Sequence, residues 1–305
     1  MRILDLKTMQ ECEINESTII ALGTFDGCHL GHMSVFRSAY LMAKRLKAKT
    51  VAYTFNTIPR ASNEGSIKSI LTLDEKIKFI REGQIDYIAI DDFSTVKNMS
   101  GADFVNGVLK GKLNAIGATC GYNYHFGKGA EYSGKDLIRF FENDEECVDI
   151  CPKVSLGDIA VSSTLIREKI KNGDVEDILP LCPPYSVYSQ IIEGKKLGRT
   201  IGIPTINQLI PKEKISPKRG VYITECEIGE DVYPAVTNVG TRPTVENDGK
   251  ENMETHIIGY DGNLYYSYVR VNFYKRLRDE IKFSSLEELT SQINDDIAVS
   301  KKYFK

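Results

Sequence analysis

The first half of this 305-residue chain alternates short apolar runs with amphipathic segments, and this alternation restricts the fold more than any other feature. The apolar runs predict buried strands, and the longer segments repeat their apolar residues at helical spacing. Strands that alternate with helices favour a parallel sheet with helices on both faces. The predicted strands are residues 19–22, 50–55, 87–90, 115–120 and 147–151, and the predicted helices are residues 34–47, 73–82, 101–113 and 164–171.

The pattern changes after a proline-rich segment, Leu-Pro-Leu-Cys-Pro-Pro-Tyr at residues 179–185. Prolines interrupt helices, so we expect a linker here. The segment divides the chain into a first domain of residues 1–180 and a second domain of residues 185–305.

The segments beyond the linker are short and are separated by Gly, Pro, Asn and Asp, which favours a small antiparallel β-barrel. A final helix at residues 285–303 is expected to pack on this barrel through a stripe of apolar side chains. The stripe is Leu286, Leu289, Ile293 and Ile297, and the predicted barrel strands are residues 185–192, 221–227, 233–239, 254–260 and 268–273.

Composition restricts the class of partner. The net charge of −3 gives no electrostatic reason to expect binding to nucleic acid or to an anionic membrane. No apolar stretch is long enough to span a bilayer, and the N-terminal residues lack the apolar core of a signal peptide. The seven cysteines are scattered and include no Cys-x-x-Cys pair, which fits reduced thiols and does not favour a zinc site. We therefore expect a cytoplasmic protein with small-molecule substrates and no nucleic-acid or membrane partner.

A glycine-rich segment with two histidines follows the first predicted strand: Gly-Thr-Phe-Asp-Gly-Cys-His-Leu-Gly-His at residues 23–32. A strand, a glycine-rich turn and a helix start bring backbone N–H groups up to a phosphate. His29 and His32 add two imidazoles that can contact the same phosphate, and Gly31 leaves room for a nucleotide near the backbone. The alternative is that the histidines cap the helix, but the pair in this context favours phosphate binding.

This motif resembles that of the nucleotidylyltransferase superfamily, and its form with Phe-Asp-Gly resembles the bifunctional riboflavin kinase/FMN adenylyltransferases of bacteria. The resemblance implies a Rossmann-like nucleotidylyltransferase domain in which His29 and His32 stabilise charge on the α-phosphate of ATP. It also implies that the loop at residues 121–127 and the helix start at residue 162 help to bind ATP and flavin. The implied contacts are Gly23, Phe25, Asp26, Gly31, Asn123, Ser162, Ser163, Thr164 and Arg167.

Both of these additional segments have structural alternatives. Residues 121–127, Gly-Tyr-Asn-Tyr-His-Phe-Gly, follow the fourth predicted strand and so belong to the edge of the sheet where ligands bind. An aromatic-rich loop can equally close a core. The hydroxyl side chains at residues 162–164 begin a helix, where they ordinarily serve as caps.

The second half carries a segment that resembles the riboflavin-kinase motif Gly-Arg-x-x-Gly-Phe-Pro-Thr-Ala-Asn: here Gly-Arg-Thr-Ile-Gly-Ile-Pro-Thr-Ile-Asn at residues 198–207. A glycine-rich hairpin turn would explain the glycines but not Pro-Thr-x-Asn. The resemblance implies that Thr205 and Asn207 hold Mg²⁺ and phosphate, with oxygen atoms that suit this ion. It implies that Glu254 is the general base for the ribityl 5′-hydroxyl. The remaining implied contacts with nucleotide or flavin are Gly198, Arg199, Gly202 and Arg278.

One departure from the family concerns the loop after the second predicted strand. The family has Phe-x-Pro-His-Pro, whereas this chain reads Phe-Asn-Thr-Ile-Pro at residues 55–59, so Thr57 and Ile58 replace a proline and a histidine. This loss of a polar contact motivates one alternative, a riboflavin kinase whose first domain is vestigial or repurposed. A flavin-binding protein without catalysis and a nucleotidylyltransferase for another phosphate are further alternatives, although the retained Glu254 favours an enzyme.

The leading expectation is a two-step flavin enzyme. ATP-dependent phosphorylation of riboflavin gives FMN in the second domain, and adenylylation of FMN gives FAD and pyrophosphate in the first. The expected substrates are ATP, riboflavin and FMN, with Mg²⁺ as the cofactor. Self-association is left open by the sequence.

Overall fold

The computed structural model describes residues 1–58, 67–142, 144–194, 198, 201–241 and 251–305. The chain divides into two compact units, Met1–Ser163 and Thr164–Lys305. A parallel sheet forms the first unit and a closed antiparallel barrel the second, which confirms the predicted fold class.

Six parallel strands form the sheet of the first unit. They are Arg2–Asp5 (β1), Thr18–Leu22 (β2), Lys49–Phe55 (β3), Tyr87–Asp91 (β4), Ala115–Gly121 (β5) and Val148–Cys151 (β8). Their order across the sheet is β1-β4-β3-β2-β5-β8. All residues of the central strand β2 are buried, as is typical of parallel strands covered on both faces. The carboxyl ends of β2, β3 and β5 share one edge of the sheet, and the predicted site loops follow these strands.

The longest helix of the first unit is α1 (Leu30–Leu46), which packs against β2, β3 and β5. Its buried residues are Val35, Phe36, Ala39, Met42 and Ala43, which recur at helical spacing on one face. The helix begins at Leu30 rather than at the predicted residue 34, directly after the extended backbone of His29.

The remaining helices of this unit are short. The segment predicted as one helix over residues 101–113 is a turn of α-helix that continues as a π-helix. The helices are α2 (Leu73–Arg81), α3 (Phe93–Val96), α4 (Gly101–Asp103) with the π-helix Phe104–Lys112, and α5 (Leu137–Phe140), with 3₁₀ turns at Lys128–Ala130, Gly134–Asp136 and Glu145–Cys147.

Five described strands of this unit, the edge strand β1 and the four strands of two short hairpins, lack a sequence signal. The strand β1 lies at the edge of the sheet beside β4 and buries only Leu4, so it has no continuous apolar run. The hairpins are formed by His125–Phe126 (β6) with Tyr132–Ser133 (β7) and by Ser155–Leu156 (β9) with Ile159–Ala160 (β10).

The barrel of the second unit has six antiparallel strands and no open edge. The strands are Ser186–Ile192 (β11), Ile206–Leu209 (β12), Gly220–Ile228 (β13), Asp231–Thr241 (β14), Glu251–Ile257 (β15) and Tyr268–Arg278 (β16), in the order β11-β12-β15-β14-β13-β16. The helix α6 (Ser163–Asn172) and a 3₁₀ turn (Val175–Ile178) precede them. The sequence did not predict β12, whose central residues Asn207 and Gln208 are polar yet buried.

The C-terminal helix, Leu286–Tyr303, packs on the barrel as predicted. Leu289, Ile293 and Ile297 of the predicted apolar stripe are partly buried, whereas Leu286 is 52% exposed, so the prediction for Leu286 is wrong. The buried residues are polar: Asp296 pairs with Arg278, and the Ser300 hydroxyl donates to the carbonyl oxygen of Ala235 at 3.0 Å. Among the residues that the structure describes, no helix combines the length and apolar character needed to cross a membrane.

Candidate functional site

The turn between β2 and α1 has an unusual backbone. Phe25 (φ 49°), Gly27 (φ 92°) and Cys28 (φ 40°) all have positive φ, a conformation that costs free energy for residues other than glycine. Phe25 is completely buried, and a Cβ atom on Gly23 would lie 2.7 Å from its ring. Glycine at residue 23 therefore makes room for the phenylalanine, and the turn has little freedom to move.

The two histidine rings of this turn stack on each other. The ring centroids of His29 and His32 are 3.7 Å apart, and the ring planes differ by 16°. Phe25 meets the His32 ring edge-on, with a centroid distance of 5.4 Å. The Nδ1 atoms of both histidines are shielded from solvent. The structure thus brings the two imidazoles together at the carboxyl edge of the sheet, in fixed orientations.

The side chain of His29 does not cap the helix. His29 is the N-cap residue of α1, but its side chain makes no capping hydrogen bond, and the first turn contains no acidic residue. The first N–H groups of a helix have no partners within the helix and carry the positive end of its dipole. This helix start can therefore receive an anionic group beside the two imidazoles.

Gly31 has a role in packing the histidine pair. A Cβ atom at residue 31 would lie 3.1 Å from Cε1 of His29, tighter than an ordinary van der Waals contact. The imidazole of His29 lies next to the space that glycine leaves here, and a contact of Gly31 with a nucleotide stays a prediction.

Asp26 holds the turn from inside the protein. It is 1% exposed, and its carboxylate accepts hydrogen bonds from the N–H groups of Ile70 (2.9 Å) and Leu71 (3.1 Å). The hydroxyl of Ser163 donates to the carbonyl oxygen of Asp26 at 2.7 Å. These bonds give Asp26 and Ser163 a structural role, and their contact with a nucleotide stays a prediction.

Lys76 is a buried cation that sequence analysis missed. It lies in α2, is 4% exposed, and donates to the carbonyl oxygen of Phe55 at 2.8 Å and to Oγ1 of Thr54 at 3.4 Å. Burial lowers the pKa of its ammonium group, against the opposing influence of Asp26 and Cys28. No spacing in the sequence distinguishes this lysine from exposed ones; only its contact with the end of β3 does.

The aromatic loop after β5 serves two purposes. Phe126 is buried and packs with Tyr132 and Phe140. This residue of the loop therefore helps to close the core, which was the structural alternative for the motif. Asn123 is exposed, and its backbone carbonyl oxygen lies 3.0 Å from Nδ1 of His125. The loop therefore combines a structural anchor with a polar side chain that is accessible to a ligand.

For the remaining predicted residues of the first site, the structure gives the position in the fold and the burial of the side chain. Ser162 is partly buried at the end of the first unit, whereas Thr164 (exposed) and Arg167 (partly buried) belong to the second unit. Ile58, which replaces the family histidine, is partly buried and is the last described residue before a gap. Arg199 of the second motif lies outside the described residues.

In the barrel, Asn207 and Glu254 face each other on neighbouring strands. They are directly opposite in the register of β12 and β15, and Asn238 is opposite Glu254 on β14. Opposite residues share one face of a sheet. Thr255, the next residue along β15, is completely buried and points to the inside. Asn207, Asn238 and Glu254 therefore lie on the outer face of the barrel, with Glu254 exposed.

The glycine-rich segment before β12 forms a tight turn. The N–H of Ile203 donates to the carbonyl oxygen of Gly198 at 2.8 Å, and Gly202 has a φ of 75°. A Cβ atom on Gly198 would lie 2.3 Å from the carbonyl oxygen of Ile203 and 3.4 Å from Oγ1 of Thr205. Residue 198 must therefore be glycine for the turn to close, and the turn leads directly to Thr205 and Asn207.

Asn252 is a second residue that sequence analysis missed. Its side chain is buried, and its Nδ2 donates long hydrogen bonds to Oδ1 of Asn207 (3.3 Å) and to Oε1 of Glu254 (3.5 Å). On the other side of Asn207, a Cβ atom at Gly194 would lie 2.3 Å from Nδ2. Strand register, rather than any motif, brings Asn252 to this place.

The barrel site offers oxygen ligands that fit Mg²⁺. Among the described residues, no group of three or more His, Cys, Asp or Glu side chains could hold a metal ion. The hydroxyl of Thr205 and Oδ1 of Asn207 are oxygen donors, and an amide oxygen that accepts one hydrogen bond keeps a second lone pair. Mg²⁺ usually retains several waters and is bound through few protein ligands together with substrate phosphates. The donor set therefore fits an ion that arrives with a nucleotide.

Arg278 forms an ion pair with Asp296 of the C-terminal helix. Its Nη2 lies 2.7 Å from Oδ2 of Asp296, and its Nε lies 3.2 Å from both carboxylate oxygens. Its Nη1 donates to the carbonyl oxygen of Asp279 at 3.1 Å. These bonds fasten the C-terminal helix to the end of β16, and a contact of Arg278 with nucleotide or flavin stays a prediction.

Comparison with known proteins places a different family on each half of the chain. The FAD synthetase family model matches residues 11–165, and the riboflavin kinase family model matches residues 181–304. The bifunctional riboflavin kinase/FMN adenylyltransferase of Bacillus subtilis is 31% identical over 300 residues, which cover 96% of this chain and 94% of that protein. The protein of the same name from Escherichia coli K12 is 28% identical, with 95% and 93% covered.

The similarity extends to a solved structure. A crystal structure from Streptococcus pneumoniae, named as a macrolide-efflux protein, has a TM-score of 0.88 and 28% identity, and 98% of each chain is covered. Matches of this extent, on both halves and in the same order, show common descent. The chain belongs to the bifunctional riboflavin kinase/FMN adenylyltransferase family.

Proposed function

We propose that this chain makes FAD from riboflavin in two steps, with a kinase in residues 185–305 and an adenylyltransferase in residues 1–180. One observation carries the proposal: each of the two family matches contains one polar site. The FAD synthetase match contains the stacked histidines, and the riboflavin kinase match contains the opposed Asn207 and Glu254. The substrates are riboflavin, FMN and ATP.

In the kinase step, Glu254 takes the proton of the ribityl 5′-hydroxyl while that oxygen attacks the γ-phosphorus of ATP, and ADP leaves. Glu254 is exposed on the outer face of the barrel, where a substrate can reach it. Mg²⁺ held by Thr205 and Asn207 would neutralise charge on the phosphates. Gly198 and Gly202 let the turn before β12 close over the nucleotide.

In the adenylyltransferase step, a phosphate oxygen of FMN attacks the α-phosphorus of ATP, the bond to the β-phosphate breaks, and pyrophosphate leaves. Direct transfer needs positioning rather than a nucleophile of the enzyme. His29 and His32, together with the first N–H groups of α1, stabilise the charge that develops on the α-phosphate.

A riboflavin kinase with a vestigial first domain is the alternative that Ile58 motivates. The FAD synthetase match over residues 11–165 and the close packing of the histidine pair both favour an active adenylyltransferase. A protein that only binds flavin would have no use for the carboxylate of Glu254 opposite Asn207.

We also propose a cytoplasmic location and no nucleic-acid partner. The net charge of −3 offers no attraction to nucleic acid or to anionic lipid, and the scattered cysteines suit a reducing compartment. Self-association is a separate question that a molar-mass measurement in solution would answer.

The proposed function is tested by a time course. The protein is incubated with riboflavin, ATP and Mg²⁺, and riboflavin, FMN and FAD are separated by chromatography. We expect FMN to appear first and then to convert to FAD. Accumulation of FMN without FAD would support the kinase-only alternative, and unchanged riboflavin would contradict both.

A further inference from the structure

We propose that Asn252 is a positioning residue of the kinase site, which orients Asn207 and Glu254 through a single carboxamide. The inference rests on the proposed kinase function of the barrel. Asn252 lies two residues before Glu254 on β15, so both side chains emerge on the same face of the strand. Neither the family motif nor the spacing of the sequence includes it.

The chemistry of the three side chains fixes how they face each other. An ionised carboxylate only accepts hydrogen bonds, so the group that Asn252 directs to Glu254 is its NH₂. The same nitrogen lies 3.3 Å from Asn207, and Asn207 must therefore present its oxygen to it. This contact selects one of the two flip states of the Asn207 amide. The selected state directs Oδ1, the oxygen proposed to hold Mg²⁺, to the side of Glu254.

The amide of Asn207 is also packed closely by the backbone of Gly194. A Cβ atom at residue 194 would lie 2.3 Å from Nδ2, 2.6 Å from Cγ and 2.9 Å from Oδ1 of Asn207. The amide therefore lies between Gly194 and Asn252. Asn207 is 8% exposed, so little solvent can replace either contact.

The NH₂ group makes the hydrogen bonds of the Asn252 side chain. Asn252 is 6% exposed, and among the described residues its Oδ1 makes no hydrogen bond. The contacts of its Nδ2 with Asn207 and Glu254 are therefore the polar contacts of this side chain that carry the inference.

The test compares Asn252→Asp with Asn252→Ser. Aspartate keeps the shape but replaces the NH₂ donor by an oxygen, while serine keeps a hydroxyl donor. Asn294→Asp makes the same chemical change at an exposed position of the C-terminal helix and serves as the matched control. Four quantities are measured: riboflavin phosphorylation with its Mg²⁺ dependence, riboflavin binding without ATP by fluorescence quenching, FMN adenylylation, and Tm.

For Asn252→Asp we expect the kcat of riboflavin phosphorylation to fall by about ten- to a hundredfold, the range typical of residues that orient metal ligands. We expect a higher Mg²⁺ concentration for half-maximal rate, unchanged riboflavin binding and unchanged FMN adenylylation. Asn252→Ser should lose less activity, and Asn294→Asp none.

Two results would overturn the inference alone. One is an Asn252→Asp variant with wild-type kcat and Mg²⁺ dependence, to within a factor of about two. The other is a large loss of Tm and of riboflavin binding in both variants, which would make Asn252 a structural residue. A wild-type protein that forms no FMN would instead contradict the proposed function, and the inference with it.

Discussion

The backbone that positions the proposed catalytic side chains differs between the two sites: it is an irregular turn at the first site and regular β-strands at the second. In the sheet unit, the stacked histidines lie at the start of α1, directly after a turn whose shape depends on three positive φ angles and on a buried phenylalanine. In the barrel unit, Asn207 and Glu254 stand on regular strands and meet because of the register of β12 and β15. The first site is formed by residues that are close in the sequence and follow a strained backbone turn. The second site is formed by residues that are far apart in the sequence and lie on regular, unstrained strands. A small change of shape should therefore disturb the first site more than the second.

His32→Ala should have the largest effect and should separate the two sites. We expect FAD formation from FMN to fall by about a thousandfold, because loss of a preorganised group that stabilises transition-state charge has an effect of this order. FMN formation from riboflavin in the same preparation is the control and should not change. Loss of both activities would contradict the assignment of one reaction to each site.

Glu254→Ala is the reciprocal variant in the barrel. Removal of the general base should slow riboflavin phosphorylation by about a hundredfold, while adenylylation of added FMN stays at the wild-type rate. Glu230→Ala removes an exposed carboxylate from the turn between β13 and β14 and is the matched control. If Glu254→Ala phosphorylates riboflavin as fast as the control, Glu254 is not the base.

Gly31→Ala tests whether the turn site depends on packing. The new Cβ atom would press on the His29 ring at 3.1 Å, and we expect FAD formation to fall by about tenfold as the ring moves. Alanine also favours the helix by about 0.5–1 kcal/mol relative to glycine, so Tm should not fall. A rate that stays at the wild-type value would show that the ring position is not critical.

Ile58→His should have the smallest effect. If the adenylyltransferase is active as it stands, restoring the family histidine adds one partly exposed hydrogen bond and changes FAD formation by less than about tenfold. The measurement is the rate of FAD formation from FMN and ATP. A much larger gain would show that the site in the natural chain has decayed.

The sequence predicted well those features that are encoded by residues close together in the chain. The central strand β2 is a continuous apolar run because both its faces are covered, and its boundaries differ from the prediction by one residue, Thr18. The histidine pair could be recognised because both rings stand in one motif at a strand–helix junction. The stacking of the rings, however, depends on the backbone of the turn, which sequence patterns do not specify.

The features that were missed are polar residues buried by distant partners. Sequence patterns assign polar side chains to the surface. They therefore gave no reason to expect a buried Lys76 in contact with the end of β3, or a buried Asn252 in contact with Asn207. The C-terminal helix shows the same limit. Its predicted contact Leu286 is exposed, whereas Asp296 is buried because Arg278 on β16 provides a partner. Such burial follows from strand register and packing between elements.

The central claim is that two independent sites make FAD in sequence, and a complementation assay tests it most directly. His32→Ala and Glu254→Ala are each incubated with riboflavin, ATP and Mg²⁺, alone and mixed, and FAD is measured. We expect FMN with very little FAD from the first variant, little of either product from the second, and much more FAD from the mixture, because FMN released by one variant is a substrate for the other. A mixture that forms no more FAD than the separate variants would contradict the account.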